Sequence, residues 1–228
     1  MTQISERVGM HKSTVHRLLA TLEEKRFVER GPETGTYRLG INLLHMAYLT
    51  LEQNDLRKIA SRYLRQLNDL YRETVNLSIL DGVDVVYLDV VESPQRVKLA
   101  VATGQRLPAF CTASGKAILA FSPDEVVKQV FEYGIPQYTS NTLDSPERIF
   151  ENLSRTREQG FALSLQEFEE GINAIAVPIL DGNNQPLASV AVAGPSYRLT
   201  QEKMIEISPT LLATVREISI EVEMATNI

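Results

Sequence analysis

The sequence predicts an α+β protein: a small N-terminal winged helix-turn-helix followed by a larger domain built on a largely antiparallel sheet. Three observations predict it. Val15, Leu18, Leu19 and Leu22 recur at i, i+3, i+4 and i+7 within residues 10–24, the apolar stripe of an amphipathic helix. Two short β-prone runs follow, 27–30 and 37–39, separated by Gly31-Pro32-Glu33-Thr34-Gly35-Thr36, a hairpin signal. Beyond residue 55, strand-like runs come in two hairpin-connected groups with helical segments between and after them, the order expected of an α+β domain.

Taken in order, Thr2 is suited to cap a short helix carrying Ile4 and Val8 that ends at Gly9. A short helix, a turn containing glycine and a longer helix is the helix-turn-helix order. On the longer helix, Ser13, Arg17, Ala20 and Thr21 point away from the apolar stripe, with Thr14 and His16 on its flanks. Hydroxyls and an arginine at the start of such a helix suit the major groove, where Arg reaches guanine and Ser or Thr takes a base edge or a phosphate. The hairpin is then a wing, with Arg30, Thr34 and Arg38 on or beside it. Residues 41–51 form a linker helix interrupted at Asn54-Asp55, and a second long helix, capped by Asp55, carries Leu56, Ile59, Ala60, Tyr63, Leu64, Leu67, Leu70 and Tyr71.

In the larger domain, 75–80 and 83–91 are strands joined at Asp81-Gly82, and 97–102 gives a third. Helices are expected at 112–121, at 123–133 with Ser122 as cap, and at 145–159, stopped by Gly160. Strands at 161–165, 174–180 and 187–193 follow, the last two turned by Asp181-Gly182-Asn183-Asn184. A closing helix over 201–224 has a possible break at Pro209.

Composition narrows the function classes. The 228 residues are 43% hydrophobic, enough for packed cores, and the formal charge of −6 excludes a protein that coats nucleic acid along its whole surface. Residues 1–40 nevertheless hold seven Lys/Arg against five Asp/Glu, leaving 16 against 24 for the rest, so only the N-terminal segment is electrostatically suited to DNA. The single cysteine, Cys111, excludes an internal disulfide and a multi-cysteine zinc site and fits a reducing compartment. With no apolar run of membrane-spanning length and no secretion signal, the expectation is a cytoplasmic protein without a membrane partner.

The segments KSTVHRLLATLEEKRFVER followed by YRLG, LPAFCTASGKAILA, GINAIAVPILDG and PLASVAVAGP resemble the IclR family of bacterial transcription regulators, in the same order along essentially the whole chain. The resemblance implies a winged helix-turn-helix over 1–40, a linker helix over 41–54 and a GAF-like effector-binding domain over 55–228 with about six antiparallel strands. It also implies homodimers, often paired into tetramers, on pseudo-palindromic operators. Two departures stand out. Family members usually have a further helix before the one starting near Thr2, so either the start is assigned too late, the chain is cut, or the domain lacks a supporting helix; one of the first two is expected, because losing that helix would uncover Ile4, Val8 and the Leu18/Leu22 stripe. Where relatives often carry His just before the SGKA segment, this chain has Phe110.

Carrying the family's effector pocket over by position gives Leu99, Ala113, Ser114, Ser164, Ala174, Ala191 and Ala193. Four of the seven are alanine. The expected effector is therefore a small-molecule organic acid with a larger apolar or aromatic body than glyoxylate or pyruvate, its carboxylate near the start of the 112–121 helix. The bland alternative is that these alanines are close-packed sheet positions. For DNA, Ser13, Thr14, His16 and Arg17 are expected in the major groove and Lys12, Arg30 and Arg38 on the backbone. The competing reading is an effector-sensing or scaffold module that has lost autonomous DNA binding.

No enzyme or cofactor is expected. His11, His16 and His45, the only histidines, precede the larger domain, so Cys111 has no basic partner there. Ser114-Gly115-Lys116 lacks the flanking glycine and hydroxyl residue of a phosphate loop, so Lys116 is expected to pair with a carboxylate or cap a helix. Glu167, Glu169 and Glu170 read as a solvated acidic loop rather than a metal site.

Overall fold

The computed structural model describes residues 2–226, and the chain folds into two compact units, 1–54 and 55–228. The first unit holds α1 (Thr2–Val8), α2 (Lys12–Glu24), β1 (Val28–Arg30), β2 (Tyr37–Leu39) and α3 (Ile41–Glu52). The turn before α2 is set by His11, whose ring nitrogen accepts from the Ser13 N–H and lies 2.8 Å from the Ser13 hydroxyl. Val15 and Leu19 are buried, whereas Val8, Leu18 and Leu22 are exposed. β1 and β2 pair antiparallel as the wing, Val28 opposite Leu39 and Arg30 opposite Tyr37. Gly40 lets α3 start hard against the end of α2: a Cβ there would lie 2.2 Å from the Arg26 carbonyl oxygen.

The second unit runs α4 (Asp55–Tyr71), β3 (Thr74–Asp81), β4 (Asp84–Val91), β5 (Arg106–Pro108), α5 (Ala113–Leu119), α6 (Asp124–Tyr133), α7 (Pro146–Gln159), β6 (Ala162–Leu165), β7 (Ile172–Leu180), β8 (Pro186–Pro195) and α8 (Gln201–Thr226). Its six strands form one antiparallel sheet in the order β5-β4-β3-β8-β7-β6. The first and last hairpin groups therefore meet along β3 and β8, with Thr74 opposite Ala193 and Ser78 opposite Ser189.

Period-2 alternation sends the two faces of this sheet to different neighbours. Val75 and Leu77 of β3, Val190 and Val192 of β8, and Ile175 and Val177 of β7 point to one side, where Leu64 and Leu67 of α4 and Met204, Leu211 and Ile218 of α8 complete an aliphatic core. Thr74, Asn76 and Ser78, then Ser189, Ala191 and Ala193, then Ala174 and Ala176 share the other side by register. There Ala113 and Ala117 of α5 meet Ala162, Ala176 and Ala191.

Four expectations need correction. The 97–102 run is irregular rather than a strand: β5 lies at Arg106–Pro108 and occupies the edge of β4, with Leu107 opposite Val85. Propensity lost to pairing geometry, because the turn at Gly104, whose N–H donates to the Tyr87 carbonyl, delivers 106–108 to that edge. Pro209 does not break α8; the Ile205 carbonyl that it leaves without a helical donor accepts from the Ser208 hydroxyl at 2.9 Å. Ser122 closes α5 by donating to the Ile118 carbonyl, and Pro123 is the N-cap of α6. Asp55 is the first residue of α4 rather than a cap outside it, ion-paired with Lys58 one turn on.

Candidate nucleic-acid interface and effector cavity

In the first unit, the buried side of α2 fixes what its opposite side offers. Lys12, Ser13, Thr14, His16 and Arg17 are all exposed on the first two turns. Ser13 is held by His11, as above, while no protein partner engages the Arg17 guanidinium or the Lys12 ammonium among the described residues. The wing arginines differ. Arg30 is ion-paired with Glu23 at 3.0 Å and lies 4.9 Å over the Tyr37 ring, and Arg38 pairs with Glu29 at 2.9 Å. These pairs are largely solvent-exposed and individually weak.

In the second unit, all seven positions carried over for the effector, Leu99, Ala113, Ser114, Ser164, Ala174, Ala191 and Ala193, line a single cavity of about 80 Å³. Strands β3, β6, β7 and β8 supply its small-residue floor, the first residues of α5 one wall, and the irregular 99–101 segment and Phe168 the remainder. Gly115 allows α5 its position: a Cβ there would sit 2.1 Å from the Ala109 carbonyl oxygen. Thr112 caps the helix, its hydroxyl accepting from the Gly115 N–H and donating to the Pro108 carbonyl.

The alanines are thus shared between two uses. Ala113 and Ala191 bring α5 close to the sheet, and Ala174 and Ala193 floor the space left beside it. The space left, about 80 Å³, is smaller than a cavity that holds benzene, which measures about 150 Å³.

Sequence reasoning missed Asn76, Tyr87, Gln105, Thr112 and Phe168, which line the same cavity. A signal for Asn76 was present: Thr74, Asn76 and Ser78 alternate with Val75, Leu77 and Ile79, a polar face on a strand too apolar to be an exposed edge. Burial pushes the Tyr87 phenol up to about 12, so it is a neutral donor at physiological pH.

The largest fully buried side chain among the described residues is that of Lys116, paired with Glu167. Lys116 does pair with a carboxylate, but Glu167 corrects the solvated-loop reading: it is 6% exposed, and only Glu169 and Glu170 of that cluster face water. Desolvation holds the Lys116 ammonium below the ordinary lysine range and the Glu167 carboxyl above the ordinary glutamate range, each opposed by attraction to the other. The Thr142 hydroxyl donates to the Glu167 carbonyl at 2.6 Å, tying down the loop that carries Phe168. Cys111 is buried, its thiol pushed up to about 12 chiefly by burial, which disfavours the thiolate. Phe110, at the position where relatives often carry His, packs in the core with its ring 6.2 Å from that of Tyr138.

Comparison with known proteins agrees with this architecture. The family description "Bacterial transcriptional regulator IclR C-terminal" matches residues 48–220, and "IclR helix-turn-helix domain" matches residues 1–32. The chain is 33% identical over 221 residues to the HTH-type transcriptional regulator KdgR of Escherichia coli, covering 96% of this chain and 84% of that one. It is 29% identical over 223 residues to the transcriptional repressor IclR of E. coli, with 96% and 81% covered. Among solved structures, IclR of Thermotoga maritima superposes with a TM-score of 0.76 at 33% identity, covering 97% of this chain and 90% of that one. These relatives are transcriptional regulators, not enzymes, and no helix among the described residues is long and apolar enough to cross a membrane. With both its helix-turn-helix and its C-terminal half matched in order, the chain belongs to the IclR family of bacterial transcriptional regulators.

Proposed function

We propose that this chain is an effector-responsive transcription factor, acting as a homodimer, whose operator affinity is set by a small organic acid in the cavity beside α5. The convergence of all seven carried-over positions on one cavity is the observation that carries the reading. Ser13, Thr14, His16 and Arg17 read or anchor in the major groove, and Lys12, Arg30 and Arg38 hold phosphates. A homodimer is supported by α3, where Ile41, Leu44 and Tyr48 form an exposed apolar stripe at i, i+3 and i+7. The effector shifts operator binding only by its differential affinity for the DNA-competent and incompetent arrangements.

Fluorescence anisotropy with labelled duplex from the gene's own upstream region, at two salt concentrations, tests the DNA half. Selective binding that weakens with salt is expected, and Arg17→Ala is expected to lower affinity about tenfold while the circular dichroism melt is unchanged. Affinity unaltered by Arg17→Ala would remove that residue from the interface; no selective binding by the wild type would favour a sensor module without DNA binding of its own.

A further inference from the structure

Resting on the cavity as the effector site, we infer that the effector's polar head is an oxygen acceptor held by two uncharged donors on the β3–β4 side, Asn76 Nδ2 and the Tyr87 hydroxyl. Neither belongs to the positions carried over from the family. No lysine, arginine or histidine lines the cavity, and its one carboxylate, that of Glu169, is exposed. Recognition of an acid here must therefore come from neutral groups.

Most of the polar side chains around the cavity have already committed their protons. The Thr112 hydroxyl donates to the Pro108 carbonyl, the Ser164 hydroxyl to the Cys111 carbonyl at 3.1 Å, and the Ser114 hydroxyl to Asn76 Oδ1 at 3.3 Å. Asn76 is 1% exposed, and its Oδ1 also accepts from the Ser78 hydroxyl at 2.9 Å. Asn76 Oδ1 accepts from both serine hydroxyls, and Nδ2 has no protein partner among the described residues. Tyr87 is 5% exposed, and its hydroxyl likewise has no protein partner among the described residues. Gln105 keeps a free amide as well, but it is only half-buried and its Nε2 can be solvated.

Asn76 and Tyr87 both line the cavity, so a ligand there can supply the acceptor that neither donor has among the described residues. Ser78 faces Tyr87 across the β3–β4 ladder and bonds Asn76, so the two donor residues come from neighbouring strands of the same cavity. The ligand chemistry that fits is a carboxylate or a neutral carbonyl on a compact body; an ammonium group would meet donors instead of acceptors.

Isothermal titration of the full chain with pyruvate, 2-oxobutyrate, succinate and the neutral pyruvamide, using wild type, Tyr87→Phe, Asn76→Asp and Ala174→Leu, tests this. For each probe the wild type binds, Tyr87→Phe is expected to weaken binding about tenfold. Asn76→Asp keeps the oxygen that the two serines use and replaces the donor with a second oxygen. It is expected to abolish binding of the three acids and to spare pyruvamide comparatively if the head is a carboxylate, or to weaken pyruvate, 2-oxobutyrate and pyruvamide alike if it is the keto oxygen. Ala174→Leu, which fills the floor, should abolish binding of every probe. Binding unchanged in both Tyr87→Phe and Asn76→Asp but lost in Ala174→Leu would overturn the donor assignment and leave the cavity as the effector site. Binding that survives Ala174→Leu, or no binding of any probe to the wild type, would overturn both.

Discussion

The two faces of the six-stranded sheet are equally buried and differently furnished. Toward α4 and α8, the central strands present Val75, Leu77, Ile175, Val177, Val190 and Val192; toward α5, the residues between them are Asn76, Ala174, Ala176, Ala191 and Ala193. Large branched side chains fill a layer to crystal-like density and supply most of the transfer free energy of burial. Small ones contribute less, but they let a helix lie close and leave space where that helix begins. The first face holds the domain together, and the second provides the cavity at the cost of weaker apolar packing. The polar groups divide in the same way, with Asn76, Ser78, Ser114, Ser189, Lys116 and Glu167 all buried on or next to the α5 side.

If this division is right, the two faces respond to opposite errors. Leu77 is fully buried in the aliphatic layer, and Leu77→Ala is expected to cost about 2–5 kcal/mol in urea denaturation through lost transfer free energy and an unfilled cavity. A loss below about 1 kcal/mol would mean that the layer collapses freely and is not the rigid face. Effector binding should survive in the folded fraction, because the cavity is on the other side of the strand.

On the α5 side the damaging change is enlargement. Ala176 is fully buried, opposite Ala162 in β6 and Ala191 in β8, with Ala113 and Ala117 of α5 in the same cluster. Ala176→Val is expected to cost about 1–3 kcal/mol by overpacking, although valine is the better strand former. It should also weaken effector binding, because α5 carries Ala113 and Ser114 of the cavity wall. A neutral or stabilising result would show that α5 has room to move outward and that the alanines are not what sets its distance.

The asymmetry also explains what could be read from the sequence. Periodicity was sufficient for α2, α4, α7 and the hairpins of β3–β4 and β7–β8, where local pattern and tertiary environment agree. It failed at 97–102, whose β-prone side chains line a cavity instead of entering a ladder, a choice made by the turn at Gly104. The resemblance named seven cavity positions, yet four alanines cannot say whether they border a large space or a close helix; that depends on where Gly115 lets α5 sit. The Lys116–Glu167 pair joins residues 51 apart in sequence, and no spacing rule connects them. Asn76 was legible as an anomaly of alternation, whereas Tyr87 resembled any strand tyrosine.

The smallest effect comes from the thiol of Cys111. Cys111 is fully buried, and burial, reinforced by the nearby Glu167 carboxylate and opposed by Lys116, holds its ionisation at about 12 in the fold against 9.0 for a free thiol. A folded value above the unfolded one means that the native state keeps its proton while the unfolded chain releases it. The contribution is therefore fully present below about pH 9 and is lost progressively as pH rises toward 12. At pH 10, one unit above the unfolded value, the thiol alone should remove about 1.4 kcal/mol relative to neutral pH. Tyr87 follows the same sign over a higher window, from about 10 to about 12. Urea denaturation of wild type and Cys111→Ala at pH 8 and pH 10 isolates the thiol: the wild type should lose about 1.4 kcal/mol more than the variant between the two. Parallel losses would mean that water or a local opening reaches Cys111, and that the α5 side of the sheet is less closed than its alanine packing requires.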